Sequence, residues 1–167
     1  TNILLQHKGY IKSFIPMFAF SAATHISLTA DEIVMNKYSQ LGPVDTQYDI
    51  SETEKEEMYV GVNSIINIVK KKGLENVDDK YLLHYFEGLK YHEDSVRNLH
   101  RILDGKYSRR TVKKIINEFN NGDYPHSKPF NLFELNKIGL KVNDNVPYDI
   151  NNIYNNFSAL ECLFDKL

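Results

Sequence analysis

The segment Ile11-Lys12-Ser13-Phe14-Ile15-Pro16-Met17-Phe18-Ala19-Phe20-Ser21-Ala22-Ala23-Thr24-His25 constrains this chain more than any other. An apolar run rich in Phe and Ile reads as a buried strand, and the small residues after it suit a tight entry into a helix. A strand delivered straight into a helix belongs to an α/β architecture. Ser21 stands at the junction, and two readings fit it. As an N-cap, its hydroxyl would accept from a free N–H of the first helical turn, contributing about 1 kcal/mol. As a nucleophile, it would place a developing oxyanion beside those N–H groups and the positive end of the helix dipole. The residues alone leave both open.

The surrounding order extends the α/β pattern. Residues 2–7 read as the last turns of a helix that stops at Gly9. A strand from Tyr10 to about Phe18, a helix from Ser21 to Thr29 and a strand Glu32-Ile33-Val34-Met35 follow, and Gly42-Pro43-Val44-Asp45 makes a turn. Alternating helices and strands with short connections imply a parallel sheet with crossover helices. From Ser51 the character becomes helical. Ser51-Glu52-Thr53-Glu54 offers a capping box, and Met58, Val62, Ile65, Ile66 and Val69 keep helical spacing up to Lys70-Lys71-Lys72-Gly73. The three lysines suit the negative end of that helix. Further helices are expected over Asp78–Leu89, Asp94–Leu103, Ser108–Phe119 and Leu132–Ile138, with a last helical piece over 149–157. Before Leu132, Pro125-His126-Ser127-Lys128-Pro129-Phe130 forms a loop stiffened by two prolines, and after the Gly139 cap Leu140-Lys141-Val142 is extended.

The length of 167 residues suits one core, divided here into a partial α/β core at 1–50 and a helical region at 51–167 packed on it. Twenty basic against twenty-two acidic residues leave a net charge of −2, so no global field argues for nucleic acid. Arg109, Arg110, Lys113 and Lys114 form one basic helix face, which reads as a solvated face opposite Val112, Ile115, Ile116 and Phe119. A single Cys162, read as a buried small hydrophobe, excludes an internal disulfide framework and points to a reducing compartment, so the expected localisation is cytoplasmic. His84, His92 and His100 recur every eight residues without a carboxylate or Cys at ligand spacing, so no metal or other cofactor is expected. The longest apolar run, Phe14–Ala23, is half of what a membrane helix needs and contains Pro16, and the first residues lack the order of a signal peptide. The absent initiator Met suggests a processed or incomplete chain.

Several ordered motifs carry a family likeness. Ser21-Ala22-Ala23-Thr24 after an apolar strand, Ala30-Asp31-Glu32-Ile33-Val34-Met35 and Leu41-Gly42-Pro43-Val44-Asp45 resemble the serine dehydrogenase proteinase family of Clp-class serine peptidases. Gly122-Asp123-Tyr124-Pro125-His126, Lys128-Pro129-Phe130 and Glu134-Leu135-Asn136-Lys137-Ile138-Gly139-Leu140-Lys141-Val142 resemble its C-terminal element. The resemblance implies a Clp/crotonase-like α/β fold, a peptide or protein substrate, a homo-oligomer and peptide-bond hydrolysis. It makes Ser21 the expected nucleophile, matching the family's Met-Ser-Ala-Gly-Thr segment, with the Ala22 N–H as an oxyanion donor. Ala23 stands where the family usually has Gly. The family also carries a Gly-Gly turn before the helix that ends here at His7, and the chain is therefore expected to be a fragment truncated at the N-terminus.

A serine nucleophile needs a base within reach, and three side chains are candidates. His25 lies one helical turn beyond Ser21, on the same face, and side chains lean toward the helix N-terminus. His126 and Lys128 belong to the proline-framed loop, which can fold back over a site. Asp31 and Asp45 are expected to cap and order turns. A different class of function, a non-catalytic assembly or interaction protein retaining the fold, is the alternative expectation.

Overall fold

The computed structural model describes residues 1–51, 58–153 and 156. The chain opens with helix α1 (Asn2–Gln6), then runs through β1 (Lys12–Ile15) and β2 (Phe18–Ala19) into helix α2 (Ala22–Thr29), and returns through β3 (Glu32–Met35) and β4 (Gln40–Leu41). β1 and β3 pair in parallel, Lys12 opposite Glu32 and Ile15 opposite Met35. β2 and β4 pair in parallel as well, Ala19 opposite Leu41. The expected α/β architecture with parallel strands and crossover helices is therefore present.

The single strand expected from Tyr10 to Phe18 is two strands. Pro16 has no N–H to give to a ladder, and its carbonyl instead accepts from Asn36 Nδ2 at 2.9 Å and Ser39 Oγ at 3.2 Å. The two paired strands thus leave the first sheet at the same level, one at Pro16–Met17 and the other at the Asn36–Ser39 turn, and pair again in a second short sheet. Ile33, Val34 and Met35 are buried in succession, as expected of a parallel strand covered on both faces. Its other neighbour is β7 (Val142–Asn143), which adds to the same sheet in parallel, Ile33 opposite Val142. The extended piece expected at Leu140–Val142 is this strand.

The helical half differs from expectation in two places. The residues from Met58 to Gly61 are not helical: β5 (Gln47–Asp49) and β6 (Tyr59–Gly61) form an antiparallel hairpin, and helix α3 spans Val62–Lys72. The Ser51 hydroxyl is used across the mouth of that hairpin, where it accepts from the Met58 N–H at 2.8 Å. Glu52, Thr53 and Glu54 of the expected capping box lie outside the described residues, as do Cys162 and the end of the last helical piece. The helices expected over 78–89 and 94–103 are one 25-residue helix, α4 (Asp79–Leu103). Helices α5 (Arg109–Asn120) and α6 (Leu132–Ile138) stand as expected, the first capped by Ser108 and the second by a full capping box of Asn131 and Glu134. Arg109, Arg110, Lys113 and Lys114 are all exposed on α5, opposite its buried face.

A continuous core joins the two halves. Ile15, Leu28, Met35 and Leu41 from the α/β part meet Leu99, Ile102 and Leu103 of α4, Ile115 and Phe119 of α5, and Leu135. Among the described residues no helix is long and apolar enough to cross a membrane.

Candidate active site

Ser21 occupies the N-cap position of α2, but it is not built as a cap. Its φ of 52° and ψ of −117° are those of the first central residue of a type II′ turn, and the Ala23 N–H closes that turn onto the Phe20 carbonyl at 3.0 Å. Ser21 is the one non-glycine with positive φ among the described residues. Its side chain makes no capping hydrogen bond. The turn leaves Ser21 half-buried at the helix entrance, while the N–H of Ala22, the first helical residue, belongs to the set left without intrahelical partners.

The surroundings hold that turn tightly. The Ser21 N–H donates to the Pro43 carbonyl at 3.1 Å, and the Gly42 N–H donates to the Ala19 carbonyl at 2.9 Å. The buried Thr24 hydroxyl lies 2.6 Å from the Ala19 carbonyl and 3.0 Å from that of Gly42, tying helix α2 to both strands. The Phe20 ring lies directly on Gly42, where a Cβ would come within 1.7 Å of it. At the far end of α2, the Lys106 ammonium donates to the Thr29 and Ala30 carbonyls at 2.7 and 2.8 Å, and lies 3.2 Å from that of Leu28, complementing the negative end of the helix. Ala23 is exposed, so its Cβ crowds nothing.

Strand β4 brings the proline-framed loop to this place. Leu41 and Phe130 exchange backbone hydrogen bonds at 3.0 and 2.7 Å in an antiparallel bridge. An antiparallel register through that pair sets position 126 opposite position 45. His126 Nδ1 is indeed 2.8 Å from Asp45 Oδ1. The Asp45 side chain is 7% exposed and that of His126 28%. A carboxylate only accepts, so Nδ1 carries a proton, and in the neutral ring Nε2 is the nitrogen with the free lone pair. The second oxygen of Asp45 faces Gly61, the N-cap of α3, where a helix dipole favours negative charge. Asp45 was expected to order a turn; it is a buried partner of histidine, and the missing signal was the register of a bridge between segments almost ninety positions apart.

Ser21, Ala22, Asp45 and His126 line one open cleft of about 500 Å³. His25 lines it too, with Nδ1 3.3 Å from Thr1 Oγ1. Burial first, and then nearby positive charge including that of Arg101, holds His25 below the ordinary histidine pKa. Lys128 is not on the cleft wall. Its ammonium donates to Glu134 at 2.7 Å and to the Pro129 carbonyl at 2.8 Å, above the Phe130 ring. The opposite wall, which the sequence did not single out, comes from Tyr59 of the hairpin and from Tyr91, Asp94 and Asn98 of α4. Among the described residues no cluster of His, Cys, Asp and Glu is arranged to hold a metal ion.

The arrangement is similar to known sequences over nearly its whole length. A family model described as ClpP-like SDH-type serine proteinase matches residues 1–159. Two relatives from Methanocaldococcus jannaschii are themselves uncharacterised: MJ1495, 30% identical over 154 residues that make up 90% of this chain and 49% of the relative, and MJ0137, 29% identical over 148 residues that make up 88% and 48%. The chain thus spans about half the length of the curated relatives it matches. No solved structure matches it. With the family model covering both the Ser21 turn and the His126 loop, the chain belongs to the ClpP-like, SDH-type serine proteinase family.

Proposed function

We propose that this chain carries a serine peptidase site in which Ser21 is the nucleophile, His126 the general base and Asp45 the group that orients the base. The observation that carries the reading is the pairing of His126 with a buried carboxylate on the same cleft as a half-buried serine with no capping bond. In the reaction, His126 Nε2 takes the Ser21 proton as Oγ adds to the peptide carbonyl carbon, and Asp45 holds the imidazolium that results. The oxyanion faces the Ala22 N–H and the positive end of α2. His126 then returns the proton to the leaving amine, and a water repeats the cycle on the acyl-serine. His25, drawn toward its neutral form and held near Thr1, serves in this scheme as part of the cleft wall.

A fluorophosphonate probe tests this. Labelling is expected at Ser21, located by mass spectrometry of the tryptic peptide, and is expected to vanish in Ser21→Ala. Absence of labelling in a folded chain, or equal labelling of both, removes the nucleophile and leaves the non-catalytic assembly role.

A further inference from the structure

We infer that the cleft selects peptides carrying an arginine or lysine side chain, with Asp94 as the specificity residue; this rests on reading the cleft as a peptide-binding site. Among the described residues, the charged side chains on the cleft wall, apart from its two histidines, are both carboxylates, Asp45 and Asp94, and no Lys or Arg lines it. Asp45 is already committed to His126. Asp94 is not so committed. Its nearest cation, Arg97, is 3.6 Å away on the exposed side of the same helix, a distance and setting that stabilise little.

The carboxylate is nevertheless held in place. Asn98, one turn further on, donates to Asp94 Oδ2 at 3.1 Å, while Oδ1 faces Arg97 Nη1 at 3.6 Å, beyond hydrogen-bond range, so that Oδ1 and the Asn98 amide oxygen can accept from a ligand. Tyr91 lies one turn before Asp94 on the same face of α4, and an edge-on contact with Tyr48 at 5.9 Å between ring centres fixes its ring. Tyr59 reaches the same cleft from β6. A carboxylate held by Arg97 only across 3.6 Å in an exposed pair, on a cleft lined also by two phenols, matches a guanidinium or an ammonium: an incoming cation displaces that weak pair and meets the rings as well. An acidic side chain in the same place would meet the Asp94 carboxylate, with only the exposed Arg97 beside it to offset the repulsion.

The test uses three fluorescent peptides that differ at one position, Arg, norleucine or Glu, and reads their binding to the Ser21→Ala chain by anisotropy, so that cleavage plays no part. The Arg peptide is expected to bind about tenfold more tightly than the norleucine peptide. That preference is expected to shrink as salt is raised, to disappear in Asp94→Asn, and to pass to the Glu peptide in Asp94→Lys; both substitutions are on an exposed helix face, and far-UV circular dichroism checks that α4 is intact. Equal binding of all three peptides, a preference that survives Asp94→Asn, or no binding of any of them overturns the inference. Cleavage of the norleucine peptide by the Ser21 chain without an Arg preference removes only the specificity claim. An Arg preference in binding without cleavage removes only the peptidase reading.

Discussion

At Ser21 a residue with a side chain holds the backbone that a type II′ turn ordinarily gives to glycine, at a cost of about 1–3 kcal/mol. No capping bond offsets this cost, which makes the position a place where stability has been exchanged for an uncapped, half-buried serine on the cleft wall. Ser21→Gly is therefore expected to raise the melting temperature by about 2–4 °C for each kcal/mol of relieved strain, while fluorophosphonate labelling is lost. A lowered melting temperature in calorimetry contradicts the strain argument. Ser21 itself was legible in the sequence because strand, small residues and helix are adjacent in the chain. That it makes no capping bond was not, since that depends on its φ. Asp45 was hidden for a different reason: an Asp after Gly-Pro-Val is ordinary turn chemistry, and only the Leu41–Phe130 bridge puts His126 against it.

Among the elements, those defined by local signals came out as read. Helices α5 and α6 carry their caps in the sequence, and β3 its unbroken apolar run. Helix α4, expected as two helices over 78–89 and 94–103, runs unbroken through Gly88. One interior glycine costs only about 1 kcal/mol, and here it lets α4 approach Val62 of α3, whose Cγ1 would be 3.1 Å from a Cβ at position 88. Long-range packing outweighed local punctuation. The hairpin β5–β6 was missed because Met58 fits a helical spacing as well as a strand end. Gly42 in the turn after β4 controls the strand-to-helix junction most directly. Gly42→Ala must displace the Phe20 ring next to Ser21, and a misplacement of that size is expected to slow labelling of Ser21 by roughly 10- to 100-fold with far-UV circular dichroism unchanged. An unchanged labelling rate would show that the Phe20–Gly42 contact does not set the nucleophile.

Over the whole molecule, one core unites the parallel strands and the helical half, so that protonation in either part acts on global stability. His25 and His92 are both held below the ordinary histidine pKa, in each case chiefly by burial; positive charge nearby adds to it at His25, and at His92 Glu93 opposes it while Lys70 adds to it. The unfolded chain then takes up protons near pH 6.5 while the folded chain still resists them. Stability supplied by the neutral rings is full above that pH and falls as pH drops through the lower, folded values. Urea midpoints are expected to decline between about pH 6.5 and 5, and His25→Gln is expected to flatten part of that decline; a midpoint that rises on acidification contradicts it. The depressed carboxylates of Glu32, paired with Lys12, and of Glu134, paired with Lys128, add their own losses at lower pH. The parallel sheet with crossover helices was legible at this scale because alternation of element types is itself a long-range pattern. The bend from one sheet into the other was not, because the Asn36–Ser39 turn that receives the Pro16 carbonyl is local chemistry acting across two strands.

The central claim is that Ser21, His126 and Asp45 act as one unit, and the rate at which a fluorophosphonate labels Ser21 measures it most directly in a double-mutant cycle. Asp45→Asn is expected to slow labelling by roughly 100- to 10,000-fold, and His126→Ala at least as much. The double variant, with its fold checked by circular dichroism, should then be no slower than His126→Ala alone, because the carboxylate acts only through the imidazole. Losses that multiply in the double variant, or a His126→Ala chain labelled as fast as the unaltered one, would contradict the account.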